Sequence, residues 1–576
     1  MITNAKLSEI FDEMAVLLTF DDGNPFRIRA YQKAVQIIGG LPREAGELSG
    51  EDLTRIEGIG KGIASHISEI LKTGTLQELQ ALRSKVPEGL LALARVPGMG
   101  PKRARRLYYD DKIHGLEQLQ KAAEAGRLRD LPGFGAKLEE NILKGIRLAV
   151  KASERMLYWE AKLLAQKLLK ELGACPGIAE IVPAGSLRRG AETVGDLDIL
   201  CTARDGARAV EFFTRMPGVE RVLAAGATKA AVWLKAQIQC DFRVVPPESF
   251  GAALQYFTGS KEHNVALREL AVKQGYSLNE YGLFKSGDAG HKKPLAGRTE
   301  EEIYSRLGLS WIAPELRECR GEIAAAQRGS LPDLVELKDV RGDFHNHTRY
   351  TDGRDSLEDM VLGARSRGWE WTAIGDHSQS LKVAHGLSPR RLQETIEELR
   401  GLQKKHKDIR LMRSMEVDIL KDGALDYADE VLASIDVVIG SVHTAFKLPE
   451  EEMTRRIQKA AANPHLDILG HLSGRLIGRR EAYAFDAGKV FAQAARMQTA
   501  VEINGQPQRQ DLSDTAARMA AEGGVTLAVT TDAHSAAQLE YMAAAVTIAR
   551  RAGLEKKHIL NCLTYDELKR WLERHE

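Results

Sequence analysis

The chain reads as a multidomain α+β and α/β protein. It has a helical N-terminal part, a central α+β part on an antiparallel or mixed sheet, and a C-terminal parallel barrel. Three observations predict this. A glycine-punctuated frame recurs three times among helical patterns near the start. The stretch Gly185 to Asp198, GSLRRGAETVGDLD, packs a small-residue turn, two arginines and two aspartates beside an apolar run. From residue 343 onward, apolar runs alternate with helical patterns and end on His, Asp or Glu. That is the pattern of a parallel sheet whose strand C-termini carry the chemistry.

At 576 residues the chain is long enough for several domains. A formal net charge of +1 argues against a uniformly basic nucleic-acid binder but leaves local patches open. The five cysteines (175, 201, 240, 319, 562) are scattered without metal-type pairs, which fits a reducing compartment. With no leader-like or membrane-length apolar run, a cytoplasmic location is expected, without membrane contact and as a monomer.

In the helical part, residues 53–64 (LTRIEGIGKGIA), 93–104 (LARVPGMGPKRA) and 128–139 (LRDLPGFGAKLE) share one frame ending Gly-apolar-Gly. Glycines here permit a tight turn between helices that presents backbone N–H groups to a phosphate, a contact independent of base sequence. Gly58, Gly60, Gly98 and Gly100 are the candidate DNA contacts. The second copy is the strongest, because Lys102, Arg103, Arg105 and Arg106 follow its glycines. The third copy can equally be ordinary helix packing.

In the central part, Asp196 and Asp198 are two apart on a strand-like run, so both face one side. Asp241 sits in a similar run, IQCDFRVV, on what could be an adjacent strand. Three carboxylates suit paired hard cations, which can activate a hydroxyl and stabilise a leaving pyrophosphate. Gly185 and Ser186 would let donors approach phosphate, with Arg189 neutralising its charge. Without further context, Tyr256 to Ser260 reads as a strand followed by a helix that Ser260 caps. Residues 320–338 read as a junction, because Ala-rich sequence gives way to the breaker cluster RGSLPD.

The C-terminal blocks are DFHNHTRYTDG, AIGDHS, SMEVDIL, VIGSVH, ILGHLSGR, VEINGQP and VTTDAHS. The candidate metal ligands are His345, His347, Asp352, His377, Glu416, His443, His471, Asp532 and His534. Nine are too many for one ion and suggest two or three, with Glu416 as the bridge. Imidazole with carboxylate suits Mn²⁺, Zn²⁺ or Fe²⁺. His385 and Asn504 are candidates for supporting or substrate contacts. Arg475, Arg479 and Arg480 would form a basic loop, either holding a nucleic-acid backbone or simply solvated.

GSLRRGAETVGDLD resembles the signature of family X DNA polymerases of the polymerase beta type, and Tyr256 to Arg268 (YFTGSKEHNVALR) resembles their nucleotide-contact block. The resemblance implies that Asp196, Asp198 and Asp241 are catalytic metal ligands for Mg²⁺ or Mn²⁺. It also implies dNTP contacts from Gly185, Ser186, Arg189, Gly195, Tyr256, Phe257, Gly259, Lys261 and Asn264, with Arg268 facing the template. Lys261 stands where the animal enzyme is acidic, and Val265 where it has lysine. The glycine frames resemble helix-hairpin-helix motifs. FRIRAYQKAVQII (26–38) resembles the family's 5′-phosphate-binding helix, with Arg27 and Tyr31 in contact positions. His66 falls where the family's lyase lysine stands; imidazole offers no primary amine, so little or no lyase activity is expected by that route. The C-terminal blocks resemble the PHP domain, implying a (β/α)7 barrel and metal-dependent phosphoester hydrolysis.

The implied architecture is a helical 8-kDa-like domain (1–82), a helix-hairpin-helix subdomain (83–150), a nucleotidyltransferase palm (151–246), a nucleotide- and template-binding subdomain (247–318), a linker (319–338) and a PHP domain (339–576). The implied function is template-directed filling of short gaps in DNA repair, on gapped or primer-template DNA. A 3′-5′ exonuclease, abasic-site endonuclease or 3′-phosphatase would reside in the PHP domain. In the alternative, the PHP domain hydrolyses pyrophosphate or small phosphate esters and the polymerase half is mainly a DNA-binding platform.

Overall fold

The structure, a computed structural model, describes residues 4–21, 25–39, 45, 53–54, 56, 59–94, 96, 99–131, 133–135, 138–140, 142–143, 155–286 and 293–573. The chain divides into two compact units, one holding residues 1–152 and the other nearly all of 153–576.

The first unit is helical. Helices Asn4–Phe20, Pro25–Gly39, Lys61–Thr73, Gln77–Lys85, Glu88–Ala94, Gly100–Tyr109 and Leu116–Glu124 enclose one core that includes Phe11, Ile67, Leu93 and Leu107. Each glycine frame interrupts helical structure as the pattern predicts. Gly60 is the N-cap of Lys61–Thr73. Gly100 opens its helix at φ +63°, a left-handed conformation open to glycine.

The second unit begins with an α+β layer. Strands β1 (Met156–Leu157) and β3 (Thr193–Val194) pair antiparallel. Strands β2 (Ile178–Pro183), β4 (Asp196–Ala203), β5 (Val219–Ala225), β6 (Lys229–Leu234) and β7 (Ile238–Val244) form a sheet in the order β2-β4-β7-β6-β5. Only β4 and β7 run parallel; the other pairs are antiparallel, so the sheet is mixed. Helix Phe250–Thr258 follows, then Lys261–Lys273, a hairpin of β8 (Tyr276–Asn279) and β9 (Gly282–Lys285), and helix Glu300–Arg306.

The C-terminal part of the same unit is a curled parallel sheet, β10 (Trp371–Ile374), β11 (Arg410–Asp418), β12 (Val437–Ser441), β13 (Ile468–Leu469), β14 (Ala500–Asn504) and β15 (Leu527–Thr530), each strand beside the next in sequence. Every residue of β10, β12, β13, β14 and β15 is buried, as a parallel sheet covered on both faces requires. Alternation divides them. Val437 and Ile439 join a core with Phe344 and Trp371, while Val438 joins the larger core under the helices.

Two expectations change in detail. The expected seventh strand, around 343–347, is too irregular to be one. It lies between β10 and β15 all the same: Ala373 N–H donates to Asp343 O (2.8 Å), His347 N–H to Ala533 O (2.7 Å), and Asp532 N–H to His345 O (2.9 Å). Tyr256 to Thr258 ends a helix rather than a strand, although Ser260 does cap the next helix through His263 N–H (3.2 Å). The 320–338 junction, read from its breaker cluster, is anchored at Val335. Val335 is fully buried and its N–H donates to Leu554 O (3.0 Å).

Candidate active sites

Parallel pairing of β4 and β7 places Asp198 directly opposite Asp241, with Asp196 two residues earlier on the same face. The Asp198 carboxyl is pushed up to about 7, first by burial and then by the charges of Asp196 and Asp241. Asp196 is raised for the same reasons. Crowded, half-buried carboxylates are an unfavourable arrangement on their own and suit a divalent cation. Gly185 turns at φ +62°, and a Cβ there would lie 2.3 Å from Asp198 Oδ2, so the turn and the carboxylate meet only because this residue is glycine.

Beside these carboxylates is a cavity of about 450 Å³. Gly185, Ser186, Arg189, Asp196, Asp198, Tyr256, Phe257, Gly259, Lys261, Asn264 and Arg268 line it. Two expected residues fall outside this lining. Asp241 lies behind it, accepting from Gln239 Nε2 (3.0 Å). A Cβ on Gly195 would lie 2.8 Å from Arg155 Nη1, so Gly195 makes room for that guanidinium. Arg155, which no motif marks, also lines the cavity and donates to Thr193 Oγ1 (2.9 Å) and O (2.7 Å). Asn264 is tied down by Gln255 Nε2 (2.7 Å) and Tyr256 O (2.7 Å). Val265 exposes an apolar side chain on the same helix.

The two arginines of the turn do different work. Arg188 makes a two-pronged pair with buried Glu300 (2.8 Å each), which also takes Arg317 (2.6 and 3.0 Å). Arg189 donates to Thr258 O (2.5 Å) and Glu318 Oε1 (3.1 Å) while facing the cavity.

The second constellation gathers at the C-terminal ends of the parallel strands. His347, Asp352, His377 and His534 form one set of close donor atoms; His345, His347 and Asp532 form a second, and His377, Glu416 and His443 a third. Shared His347 and His377 join the three. Glu416 is the hub: its carboxylate meets His377 Nδ1 (2.9 Å), His471 Nε2 (2.7 Å), His443 Nε2 (3.2 Å) and His345 Nε2 (3.4 Å). Burial alone would push Glu416 up, but His443, His345, His377 and His471 together hold it well below the usual carboxylate range. His345 Nε2 and His471 Nδ1 are buried without a hydrogen bond among the described residues. Such orphaned nitrogens among buried carboxylates fit transition-metal ions.

Glu502 and Asp418 lie within VEINGQP and SMEVDIL but are not among the nine candidate ligands. Glu502 Oε1 holds His345 Nδ1 (2.6 Å) and Asp418 Oδ1 holds His443 Nδ1 (2.6 Å). These are the orienting bonds that ligating imidazoles ordinarily have. Asn504 Nδ2 donates to Asp532 Oδ2 (3.1 Å), and Arg509 Nε stands 3.1 Å from the same oxygen. His385 caps a short turn outside all three sets. Arg475 is not a free loop cation. It pairs with Glu192 (2.8 Å) and donates to the carbonyls of Arg509 and Gln510.

In the helical unit, Arg27 pairs with Glu78, and Tyr31 is buried with its hydroxyl 2.8 Å from His66 Nδ1. Lys102 and Arg103 are exposed on the helix that Gly100 opens. Gly58 and Gly98 lie outside the described residues. In the third frame, buried Glu139 accepts from the N–H groups of Leu128 and Arg129 and from the Arg129 guanidinium, so this copy is internally braced.

Comparison with known proteins matches the DNA polymerase beta thumb to residues 253–318 and the PHP domain to 343–532. A helix-hairpin-helix domain matches 2–76, and a SAM-like helix-hairpin-helix tandem matches 50–109 and 90–148. The chain is 37% identical over 569 residues to the DNA polymerase/3′-5′ exonuclease PolX of Bacillus subtilis (strain 168), covering 98% of this chain and 99% of that protein. It is 29% identical to DNA polymerase lambda of Arabidopsis thaliana and 28% identical to that of Rattus norvegicus, over 54% and 51% of this chain and 62% and 53% of those proteins.

Proposed function

Because the chain belongs to the PolX family, family X DNA polymerases joined to a PHP domain, we propose that its two carboxylate centres divide one repair task between them. The chain is a DNA polymerase with 3′-5′ exonuclease activity. In our reading, Asp196, Asp198 and Asp241 hold the cations of nucleotidyl transfer, Mg²⁺ or Mn²⁺, during the filling of short gaps. The single observation that carries this is the register of Asp198, which lines a polar cavity, against Asp241 on the neighbouring strand. Gly185 and Ser186 bring donors close to the triphosphate and Arg189 meets its charge. Tyr256, Phe257 and Gly259 bound the sugar, Asn264 the base edge, and Arg268 the template side.

The PHP residues act in the degradative direction. His345, His347, Asp352, His377, Glu416, His443, His471, Asp532 and His534 would hold two or three ions of the Mn²⁺, Zn²⁺ or Fe²⁺ class, with Glu416 shared. Divalent cations, when bound in either centre, neutralise phosphate oxygens and acidify the attacking hydroxyl or water. Glu502 and Asp418 fix which imidazole nitrogen of His345 and His443 faces inward. Abasic-site cleavage and 3′-phosphate removal are further reactions that such a centre could carry out.

Labelled gapped DNA tests the division. Asp198→Ala should abolish extension and leave 3′-5′ degradation intact, and His345→Ala should do the reverse. Unchanged extension by Asp198→Ala would sink the assignment. Loss of both activities in either variant would show that the centres are not independent.

A further inference from the structure

Arg551 ends the helix Met542–Arg551, which packs behind the parallel sheet, and it is only 9% exposed. Its guanidinium reaches across to the nucleotide cavity's own turn. Nη1 donates to the main-chain carbonyl of Arg189 (2.7 Å) and to Glu318 Oε1 (2.9 Å), and Nη2 stands 2.8 Å from Asp514. Glu318 Oε1 is the same oxygen that accepts from Arg189 Nε (3.1 Å). One arginine of the PHP half therefore holds Arg189 by its backbone directly and by its side chain through Glu318. The next residue sits as tightly: a Cβ on Gly190 would lie 2.2 Å from Thr547 Cγ2 of the same helix. Trp159 meets Tyr541 edge-to-face with ring centroids 5.5 Å apart, so the contact has an apolar floor.

We propose that Arg551 is a positioning residue for the polymerase centre, so that nucleotide affinity is set partly by the PHP half. An arginine side chain loses much rotamer freedom when it docks on a phosphate; one already held in place loses less on binding. Arg551 also shares the Glu318 carboxylate. The proposal rests on the reading of Arg189 as a triphosphate contact.

Single-nucleotide insertion by the full chain on gapped DNA tests it, with thermal melts to establish that each variant is folded. Arg551→Met should raise KM for the dNTP roughly tenfold, the scale of a lost charge-assisted hydrogen bond, with kcat within about twofold of wild type. Glu318→Gln cuts the same link from the other side and should raise KM likewise. The control is Arg550→Met, which removes a pair with Glu315 (2.7 Å) across the same contact without reaching Arg189; its KM should not move. An equal rise in Arg550→Met would mean general loosening and overturn the proposal. So would an unchanged KM in both Arg551→Met and Glu318→Gln while Arg189→Ala raises it. If Arg189→Ala itself leaves KM unchanged, the nucleotide reading fails instead.

Discussion

Asp198 on β4 and Asp241 on β7 are direct partners in the only parallel pair of their sheet. Burial, and then the charges of Asp196 and Asp241, raise the proton affinity of the Asp198 carboxyl. Cation binding to the pair must then displace a proton near neutrality. With the Asp198 carboxyl at about 7, apparent Mn²⁺ affinity at the polymerase centre should be nearly flat above pH 8 and fall by up to about tenfold per unit below pH 7. The difference between Mn²⁺ paramagnetic resonance titrations of wild type and Asp198→Ala would isolate this centre; a difference independent of pH between 6 and 8 would contradict it.

Gly185→Ala should be disproportionately harmful for a one-carbon change. The new methyl would sit 2.3 Å from Asp198 Oδ2 at a φ of +62°, costing on the order of 1–3 kcal/mol of strain if the turn keeps its shape. The expected result is loss of most extension activity with 3′-5′ degradation unchanged, measured on one gapped substrate.

Glu300 predicts an acid-sensitive joint. Burial, the largest single influence, pushes its carboxyl up, but the bonds from Arg188 and the charge and bonds of Arg317 outweigh it and bring it down to about 2. The depressed folded value means stability that is fully present above the unfolded value near 4.5 and is lost as pH falls toward 2. The shift corresponds to something on the order of 3 kcal/mol. Urea midpoints of wild type should drop across that window, and Glu300→Gln should lack the drop while being less stable at pH 7. Trp311, whose indole N–H donates to Glu300 Oε2 (3.1 Å), is the local fluorescence reporter.

Glu416→Gln should strip the PHP centre of bound metal more thoroughly than any single histidine change, because five imidazoles stand 2.7 to 3.6 Å from its carboxylate. Elemental analysis should show the PHP metal content falling from two or three ions per chain to one or none, with exonuclease lost and extension retained. Retention of the full complement would remove Glu416 as the shared ligand.

Much of this protein was legible in its sequence because the relevant physics is local. Apolar runs marked the parallel strands, and His, Asp and Glu at their ends marked the centre they build. Glycine frames marked the helical turns because left-handed or tightly approached backbone admits little else. The GSLRRG and GDLD spacings placed Gly185, Asp196 and Asp198 on one site. The expected strand at Tyr256 failed because a short apolar run with an aromatic pair fits either period. The seventh strand is absent because 343–347 makes isolated bonds to Ala373, Asp532 and Ala533 instead of a continuous ladder.

What only the tertiary structure decided is partnership. Both arginines of the turn look alike in sequence, yet Arg188 is bound to Glu300, 112 positions away, and Arg189 to Glu318 and Arg551. Arg155 belongs to no motif, and Glu502 and Asp418, though inside VEINGQP and SMEVDIL, reach His345 and His443 only because the fold brings those strands together. Arg475 looked like a free basic loop until Glu192 was found beside it. Residue type and period were set along the chain; which charges meet was set by packing, since a charge's strongest partner is the nearest one in a low-dielectric interior and not the nearest in sequence.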